Sequence, residues 1–336
     1  MYPSPRGENP NPGRPQDRTL QESLTVRLFR VLAELVRNAA KVSFVLFKIM
    51  VPIIIVVKAL QELGAIEHVA APLGPVMEAI GLPASLGLAW LAAILSSIYA
   101  GIAVFYTLSA GGLSLDVGQV TVFGVLLLFA HNLLVEGQVT KRCGASFWGQ
   151  NALRVFGGLA CAFLLHRIFV AGGIFSGPAR MLLAPPEPQA TLWGWALGEA
   201  WGLCKIFFII LGLMALMRLL GALGVTRLLE RILTPFLRLM GIGPAAATLT
   251  VAGMVMGLVY GSGLIIHETQ TGQVPKKDVF AAVSLMSLSH ALIEDTTLVG
   301  LMGASLWGSL FARLVFSLVA VAGLSRIVAW RARRKV

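Results

Sequence analysis

The segment from residue 279 to residue 296 reads VFAAVSLMSLS followed by HALIEDT, and its second part interrupts an otherwise uncharged, apolar run. As part of a lone span through the bilayer centre, Glu294 and Asp295 would together cost about 5 kcal/mol or more. The apolar residues of the segment would return only roughly 2–4 kcal/mol. Because this segment should not face lipid alone, we expect a broken helical hairpin that is buried in protein or lines a cavity.

The whole chain has the composition of a membrane protein. Its 336 residues are 57% hydrophobic and only 13% charged, with a mean hydropathy of +0.80, whereas about a quarter of the residues of a soluble domain are charged. Six segments reach or approach the roughly 20 apolar residues that cross a bilayer. These segments are 39–61, 84–110, 149–170, 194–221, 243–266 and 305–325. The sequence therefore predicts an all-α polytopic membrane protein.

The net charge of +11 comes from Lys and Arg residues that flank apolar segments. This distribution is typical of residues that fix membrane orientation, and it gives no reason to expect a nucleic-acid partner. The three cysteines, Cys143, Cys161 and Cys204, show no CxxC spacing, so we expect neither a disulfide framework nor a zinc ribbon.

The two halves of the chain resemble each other under a shift of 159 or 160 residues. The matches include Gly64 with Gly224, Pro75 with Pro235, Gly81 with Gly241 and Gly101 with Gly261, and SFWGQNALRV at 146–155 aligns with SLWGSLFARL at 305–314. The same alignment places HNLLVE at 131–136 on HALIED at 290–295. This pattern predicts a duplicated membrane unit.

Two equivalent loops carry opposite charge. Loop 62–83 contains three glutamates and no Lys or Arg, while loop 222–243 contains three arginines and one glutamate. Because short loops rich in Lys and Arg stay in the cytoplasm, the two loops should lie on opposite sides of the membrane, which indicates an inverted repeat. We expect a bacterial cytoplasmic (inner) membrane protein with both termini and 222–243 in the cytoplasm, and with 62–83 outside.

Inversion requires an odd number of crossings in each half. Three apolar spans per half satisfy this condition if the remaining stretches, 117–146 and 278–304, are re-entrant helical hairpins. The predicted fold is thus two inverted repeats, each of about three transmembrane helices and one re-entrant hairpin. The predicted organisation is a disordered cytoplasmic tail (1–24), a first repeat (25–170), an external linker (171–192), a second repeat (193–330) and a basic cytoplasmic tail (331–336).

Two hairpin tips that met near the membrane midplane would bring polar side chains together. The candidate substrate-binding residues are His290, Glu294, Asp295, Thr296, His131, Asn132 and Glu136. Four of them, His290, Asp295, His131 and Glu136, also suit a divalent metal. No resident cofactor is expected, and a metal or a proton would be cargo or coupling ion. The alternative is that these residues only cap half-helices.

Four basic residues and two small-residue stretches occur at equivalent positions. Lys48 and Lys205 could be counter-ions of the hairpin acids or could extend to the membrane surface, whereas Arg154 and Arg313 are expected to anchor the membrane interface. The stretches SSIYAGIAV (96–104) and GLVYGSGLI (257–265) favour close helix packing, with local unwinding as the alternative.

Residues 287–316, SLSHALIEDTTLVGLMGASLWGSLFARLVF, resemble the bacterial nucleoside-recognition, or Gate-domain, membrane family. This family includes the spore maturation proteins, and similar Gate modules occur in ferrous iron transporter B. The resemblance covers both repeats, but Val135 stands where the second repeat has Glu294, and Gly137 where it has Thr296. It implies a transport-like gate fold and does not fix a substrate.

The sequence thus predicts a Gate-type permease that moves a small polar solute or cation, with a divalent metal and a nucleoside among the candidates. The alternative is a non-transporting membrane scaffold or assembly partner of the spore-maturation type. An enzyme is not expected, since the sequence contains no nucleophile–base pair and no complete metal motif. The expected partners are the lipid bilayer and the solute, and a homo-oligomer is compatible with the sequence.

Overall fold

A computed structural model describes residues 24–182, 191–270 and 276–334, and these residues form helices and turns without a strand. The first half contains α1 (Leu24–Glu62), α2 (Ile66–Ala70), α3 (Gly74–Ala79), α4 (Leu86–Leu95), α5 (Ile98–Ala110), α6 (Val117–Phe129), α7 (Leu133–Arg142) and α8 (Phe147–Gly172). The second contains α9 (Leu192–Ala222), α10 (Val225–Leu239), α11 (Pro244–Met256), α12 (Leu258–Gln270), α13 (Lys276–Ser289), α14 (Glu294–Leu301) and α15 (Leu306–Arg333). The predicted tail, apart from its last residue, part of the predicted linker and the last two residues lie outside the described ranges.

Within the described ranges, four helices are long and apolar enough to cross a membrane, namely α1, α8, α9 and α15. The consecutive helices α6 and α7 qualify together as a fifth span, with a bend of 41° between them. Large apolar side chains such as Phe44 on α1 and Phe208 on α9 are exposed on the outside of the bundle. Because lipid is the solvent that such surfaces require, the chain is an all-helical integral membrane protein.

The helices of the second half follow the same order as those of the first. Helices α5 and α12 coincide at both ends under the 160-residue shift. Backbone conformations with positive φ also recur at equivalent positions, in the pairs Gly64 and Gly224, Gly81 and Gly241, Gly144 and Gly303, and Asn132 and Ala291. The chain therefore turns at the same places in both halves.

Two segments predicted to be spans, 84–110 and 243–266, are instead helical hairpins. Helix α5 folds back on α4, and a Cβ at Gly101 would lie 2.7 Å from Ala93 Cβ and 2.9 Å from Ala89 O. In the second half, Gly261 packs against Gly253 across the break at Gly257. Each arm has only 10 to 13 residues, too few for the roughly 20 that a span needs. The small residues therefore serve close packing, as the sequence indicated.

The stretches predicted to be hairpins, 117–146 and 278–304, do not fold back. The bend of 41° between α6 and α7 leaves the chain running onward. In the second stretch, Asp278 near the start of α13 accepts a hydrogen bond from Gly243, while Leu301 at the end of α14 accepts one from Leu182. These contacts lie at opposite ends of the bundle. Each half therefore contains one helical hairpin, at 84–110 or 243–266, and one broken helix, at 117–146 or 278–304.

The breaks in these two segments are stabilised by the hairpin tips. The N–H of Asn132 donates to Ala93 O at the end of α4, at 2.8 Å, and the N–H of Leu292 donates to Met254 O in the last turn of α11, at 2.9 Å. A break within a membrane is tolerated only where its freed backbone groups find partners in the protein. The hairpins supply these partners.

Equivalent helices of the two halves run antiparallel to each other. In the pair α8 and α15, Cys161 lies against Ala312, and Gly157, four residues earlier, lies against Phe316, four residues later. In the pair α1 and α9, Glu34 pairs with Arg218 at 3.6 Å, and Lys58 lies near Glu199. Both helix pairs therefore have opposite directions.

The two ends of the bundle can be told apart by their contacts. At the first end, Gln61 donates to Thr107 O and Gln119 donates to Gly81 O, so the end of α1, the open end of hairpin α4–α5 and the start of α6 lie together. Part of the predicted linker is fixed there as well, since Phe175 O and Gly177 O accept hydrogen bonds from the start of α6. The second end holds α10, the open end of hairpin α11–α12 and the start of α13.

Candidate functional site

The two broken helices place their polar residues on both sides of each break. Asn132 and Ala291 have left-handed backbone conformations, with φ of 49° and 46°. His131 and His290 directly precede these residues, and Glu136 and Asp295 lie in the first turns of α7 and α14. Acidic side chains are favoured at helix N-termini because the free N–H groups and the helix dipole attract negative charge.

The breaks meet in a single buried cluster. The rings of His131 and His290 are 5.2 Å apart between centroids. Glu136 lies between them, with Oε2 at 3.0 Å from His290 Nε2 and Oε1 at 3.6 Å from His131 Nε2. Asp295 Oδ2 lies 3.9 Å from a ring nitrogen of each histidine. All four side chains are buried. The structure thus brings together the four residues proposed above as a metal set.

Arg154 of α8 completes the first half of the cluster. Its Nε donates to Phe129 O at 2.7 Å and its Nη2 donates to His131 O at 2.8 Å, so it satisfies carbonyl groups released by the break. Its Nη1 pairs with Glu136 Oε2 at 2.5 Å. Every nitrogen of this guanidinium has a protein partner.

Arg313 of α15 occupies the equivalent position in the second half. Its Nε donates to Leu288 O at 2.8 Å, but its Nη1 is 4.0 Å from Asp295 Oδ2. Within the described ranges, Nη1, Nη2 and Asp295 Oδ2 have no hydrogen-bond partner. The second half therefore repeats the hydrogen bond from the arginine Nε to the backbone, but its guanidinium and carboxylate are not in hydrogen-bond contact.

The sequence suggested that the two arginines anchor the membrane interface, but the structure places both of them inside the bundle. Arg154 is 1% exposed and Arg313 is 0% exposed. Their position in the sequence, near the starts of apolar spans, did not reveal that the breaks lie beside them. The one sequence signal for their place in the cluster was the repeat alignment, in which the two arginines coincide. Each arginine follows an aligned acid, Glu136 or Asp295, by 18 residues.

The proposed counter-ions Lys48 and Lys205 do not have that role in the structure. Lys48 is exposed on α1 and Lys205 is half-buried on α9. In the described part of the chain, neither forms an ion pair with a cluster acid, because α1 and α9 pack against each other at the periphery. The bases beside the acids are Arg154 and Arg313.

The remaining predicted site residues lie around the cluster. Glu294 accepts a hydrogen bond from Tyr99 OH at 3.2 Å. Thr296 is buried, and its hydroxyl has no partner among the described residues. Asn132 is half-buried at its break. Tyr99, next to the tip of the first hairpin, was missed in the sequence, where its stretch indicated only packing.

The cluster is poorly suited to a divalent cation despite its ligand types. His131, Glu136 and His290 offer ligand atoms within 4.8 Å of one another. However, Glu136 is already paired with Arg154, whose Nη2 is 3.5 Å from His290 Nε2. A divalent cation at these atoms would face a buried guanidinium at close range, and like charges repel strongly in a medium of low dielectric constant.

Comparison with known proteins supports the membrane assignment. The chain is 27% identical over 275 residues to the uncharacterized membrane protein YvoD of Bacillus subtilis (strain 168), and the match covers 81% of this chain and 86% of that protein. No family model matches the chain, and no solved structure matches it. The resemblance to the nucleoside-recognition family therefore stays a prediction.

Proposed function

We propose that this protein is a membrane carrier that binds a small polar solute where its two broken helices meet, with a proton as coupling ion. The observation that carries this proposal is the buried cluster of His131, His290, Glu136, Asp295 and two arginines at paired helix breaks. Ionisable residues inside a membrane are costly and usually mark a solute pathway or a proton relay.

The proposed architecture is a pair of inverted repeats. Antiparallel packing of equivalent helices, α1 with α9 and α8 with α15, supports inversion, since parallel copies related by an axis along the membrane normal would keep equivalent helices parallel. Many secondary transporters use inverted repeats with broken helices that form the site near the midplane.

The proposed orientation places both termini and the second end of the bundle in the cytoplasm of a bacterial cell. Charges support it. The second end holds the Arg-rich helix α10 and the start of α13 at Lys276, whereas the first end holds glutamates such as Glu62 and Glu78. With crossing broken helices, Lys276 and Lys277 fall on the cytoplasmic side, as the positive-inside trend requires.

The cargo we propose is a polar solute rather than a divalent metal. Arg154 neutralises Glu136, and both histidines lie close to that pair, so little negative charge is left for a cation. A nucleoside remains among the solutes to be tested because of the family resemblance stated above.

Proteoliposomes with a pH reporter trapped inside would test the proposal. We would add nucleosides, amino acids, carboxylic acids and divalent metals in turn, and we expect one class of polar solute to drive proton entry. Glu136→Gln should lose this response, and Glu34→Gln, which changes an exposed ion pair on α1, should keep it. If no solute drives proton movement or stabilises the protein against heat, the carrier proposal is wrong and the scaffold alternative is favoured.

A further inference from the structure

The two arginines of the cluster form one equivalent hydrogen bond through Nε and differ in the contacts of their Nη atoms. Arg154 Nε donates to Phe129 O, and Arg313 Nε donates to Leu288 O, which is the equivalent carbonyl under the 159-residue shift. Both Nη atoms of Arg154 also form hydrogen bonds, whereas both Nη atoms of Arg313 lack a hydrogen-bond partner among the described residues.

The buried guanidinium of Arg313 has free hydrogen-bond donors that a ligand could occupy. A buried donor without a hydrogen-bond partner is destabilising, and more so when it is charged. The free Nη1 and Nη2 form a planar fork, which matches the two oxygens of a carboxylate better than it matches a single acceptor. Beside the fork, Asp295 Oδ2 and the Thr296 hydroxyl are also buried without a hydrogen-bond partner among the described residues.

We propose that Arg313 binds the carboxylate of an organic acid and that Asp295 takes up one proton as this anion binds. The inference rests on the carrier function proposed above and names its substrate class.

The position of Asp295 explains why a proton is taken up together with the anion. Its Oδ2 lies 4.0 Å from Arg313 Nη1, so a carboxylate on the fork would come within hydrogen-bond reach of it. Two ionised carboxylates at that distance repel each other, and a shared proton relieves the repulsion. A protonated Asp295 donates a hydrogen bond to the bound anion instead.

The charge balance of the buried cluster is then the same before and after binding. One anion and one proton enter together, so the positive charge of Arg313 is matched first by Asp295 and then by the cargo. The charged and titratable groups that face Asp295 from the surrounding helices are Tyr99, His131, Glu136, Arg154, His290, Glu294 and Arg313. Glu136 is held by Arg154, which leaves Asp295 as the carboxylate in contact with the fork.

Binding measurements on the full-length protein in detergent would test this proposal. The probes are lactate and benzoate as carboxylates, with inorganic phosphate and uridine as comparators. We expect the carboxylates to bind with uptake of one proton per anion in weakly buffered solution. Because proton uptake accompanies binding, the affinity should weaken as pH rises. The decrease should be about tenfold for each pH unit in the range where Asp295 is deprotonated in the free protein.

Variants separate the two roles. Arg313→Gln should abolish carboxylate binding, and Arg313→Lys, which keeps the charge but not the fork, should weaken it at least tenfold. Asp295→Asn should bind carboxylates with no proton uptake and little pH dependence. Arg326→Gln, in the same helix outside the cluster, is the matched control and should bind like the parent chain.

The proposal is overturned if the folded parent protein binds neither carboxylate, if Arg313→Lys binds as the parent does, or if binding takes up no proton. Should uridine or another neutral solute bind or drive Glu136-dependent proton entry while carboxylates do not, the inference fails and the carrier function stands. Phosphate binding in place of carboxylate binding also contradicts the proposal, since it assigns another class of anion to Arg313.

Discussion

At the scale of single residues, Arg154 and Glu136 at the centre of this molecule form a buried pair in which each charge compensates the other. Arg154 satisfies two backbone carbonyls and one carboxylate, and each bond is buried. Replacing one partner of a buried pair leaves the other uncompensated, which costs far more than the pair contributes when both are present.

Arg154→Gln should therefore destabilise the protein by about 3–5 kcal/mol, because Glu136 loses its counter-charge in the bundle interior. The double variant Arg154→Gln with Glu136→Gln should recover part of this loss. Unfolding by sodium dodecyl sulfate in mixed micelles measures the difference. Arg218→Gln, in an ion pair whose side chains are 50% and 42% exposed, should cost less than about 1 kcal/mol. Equal losses in both single variants would count against the cluster as described.

Ala291 carries backbone strain that glycine would relieve. Its φ of 46° lies in the left-handed region, which costs an L-residue with a side chain roughly 1–2 kcal/mol. We expect Ala291→Gly to leave stability unchanged or raise it by up to about 1 kcal/mol, and Ala291→Val to lower it. The same unfolding assay decides, with Ala281→Gly inside α13 as a control that should destabilise. A loss from Ala291→Gly as large as the control's would show that the strain is absent.

At the scale of helices, the hairpins depend on glycines that bring two backbones together. A Cβ at Gly261 would collide with the backbone of Gly253 and would lie 2.7 Å from Met286 Sδ, whereas a Cβ at Gly263 would meet nothing within 4 Å. These two glycines belong to the same helix, α12, and differ only in the face on which they lie.

Gly261→Ala should accordingly lower stability by about 1–3 kcal/mol through overpacking. Gly263→Ala should be neutral or slightly stabilising, since alanine is the better helix former. Thermal unfolding followed by circular dichroism would compare the two variants with the parent chain. A Gly261→Ala protein as stable as Gly263→Ala would mean that α11 and α12 do not pack face to face.

The sequence predicted the partners in the cluster better than it predicted the path of the chain. The repeat alignment placed His131 opposite His290 and Glu136 opposite Asp295, and the structure brings these residues together. Hydropathy could not separate a hairpin from a span, because two arms joined at Ser96 and Ser97 read as one continuous apolar run. It also could not show that buried guanidinium groups lie beside the polar residues of the two broken helices.

The arginines show a second limit of the sequence. The depth of a side chain in the membrane depends on where the neighbouring helices break, and that depends on long-range contacts such as Asn132 with Ala93. No local pattern encodes such contacts. Thus Arg154 and Arg313 looked like interface residues, and Lys48 and Lys205 looked like counter-ions.

At the scale of the whole molecule, we propose two inverted copies that share one buried charge cluster. Each copy would cross the membrane three times, through its first helix, its broken helix and its last helix, and would insert one hairpin from one side. The hairpins would enter from opposite sides and touch the two breaks. Such an arrangement allows one half to rock against the other around a fixed site.

Accessibility of single cysteines in intact cells tests this central claim most directly. In a chain whose native cysteines are replaced, Glu78→Cys and Arg238→Cys mark equivalent exposed positions of the two copies. Ser114→Cys, just before α6, and Lys141→Cys, in the last turn of α7, mark exposed positions at the two ends of one broken helix. We predict that an impermeant maleimide labels positions 78 and 114 from outside, and positions 141 and 238 only after the cells are permeabilised. Labelling of 78 and 238 from the same side would contradict inverted copies, and labelling of 114 and 141 from the same side would contradict a crossing broken helix.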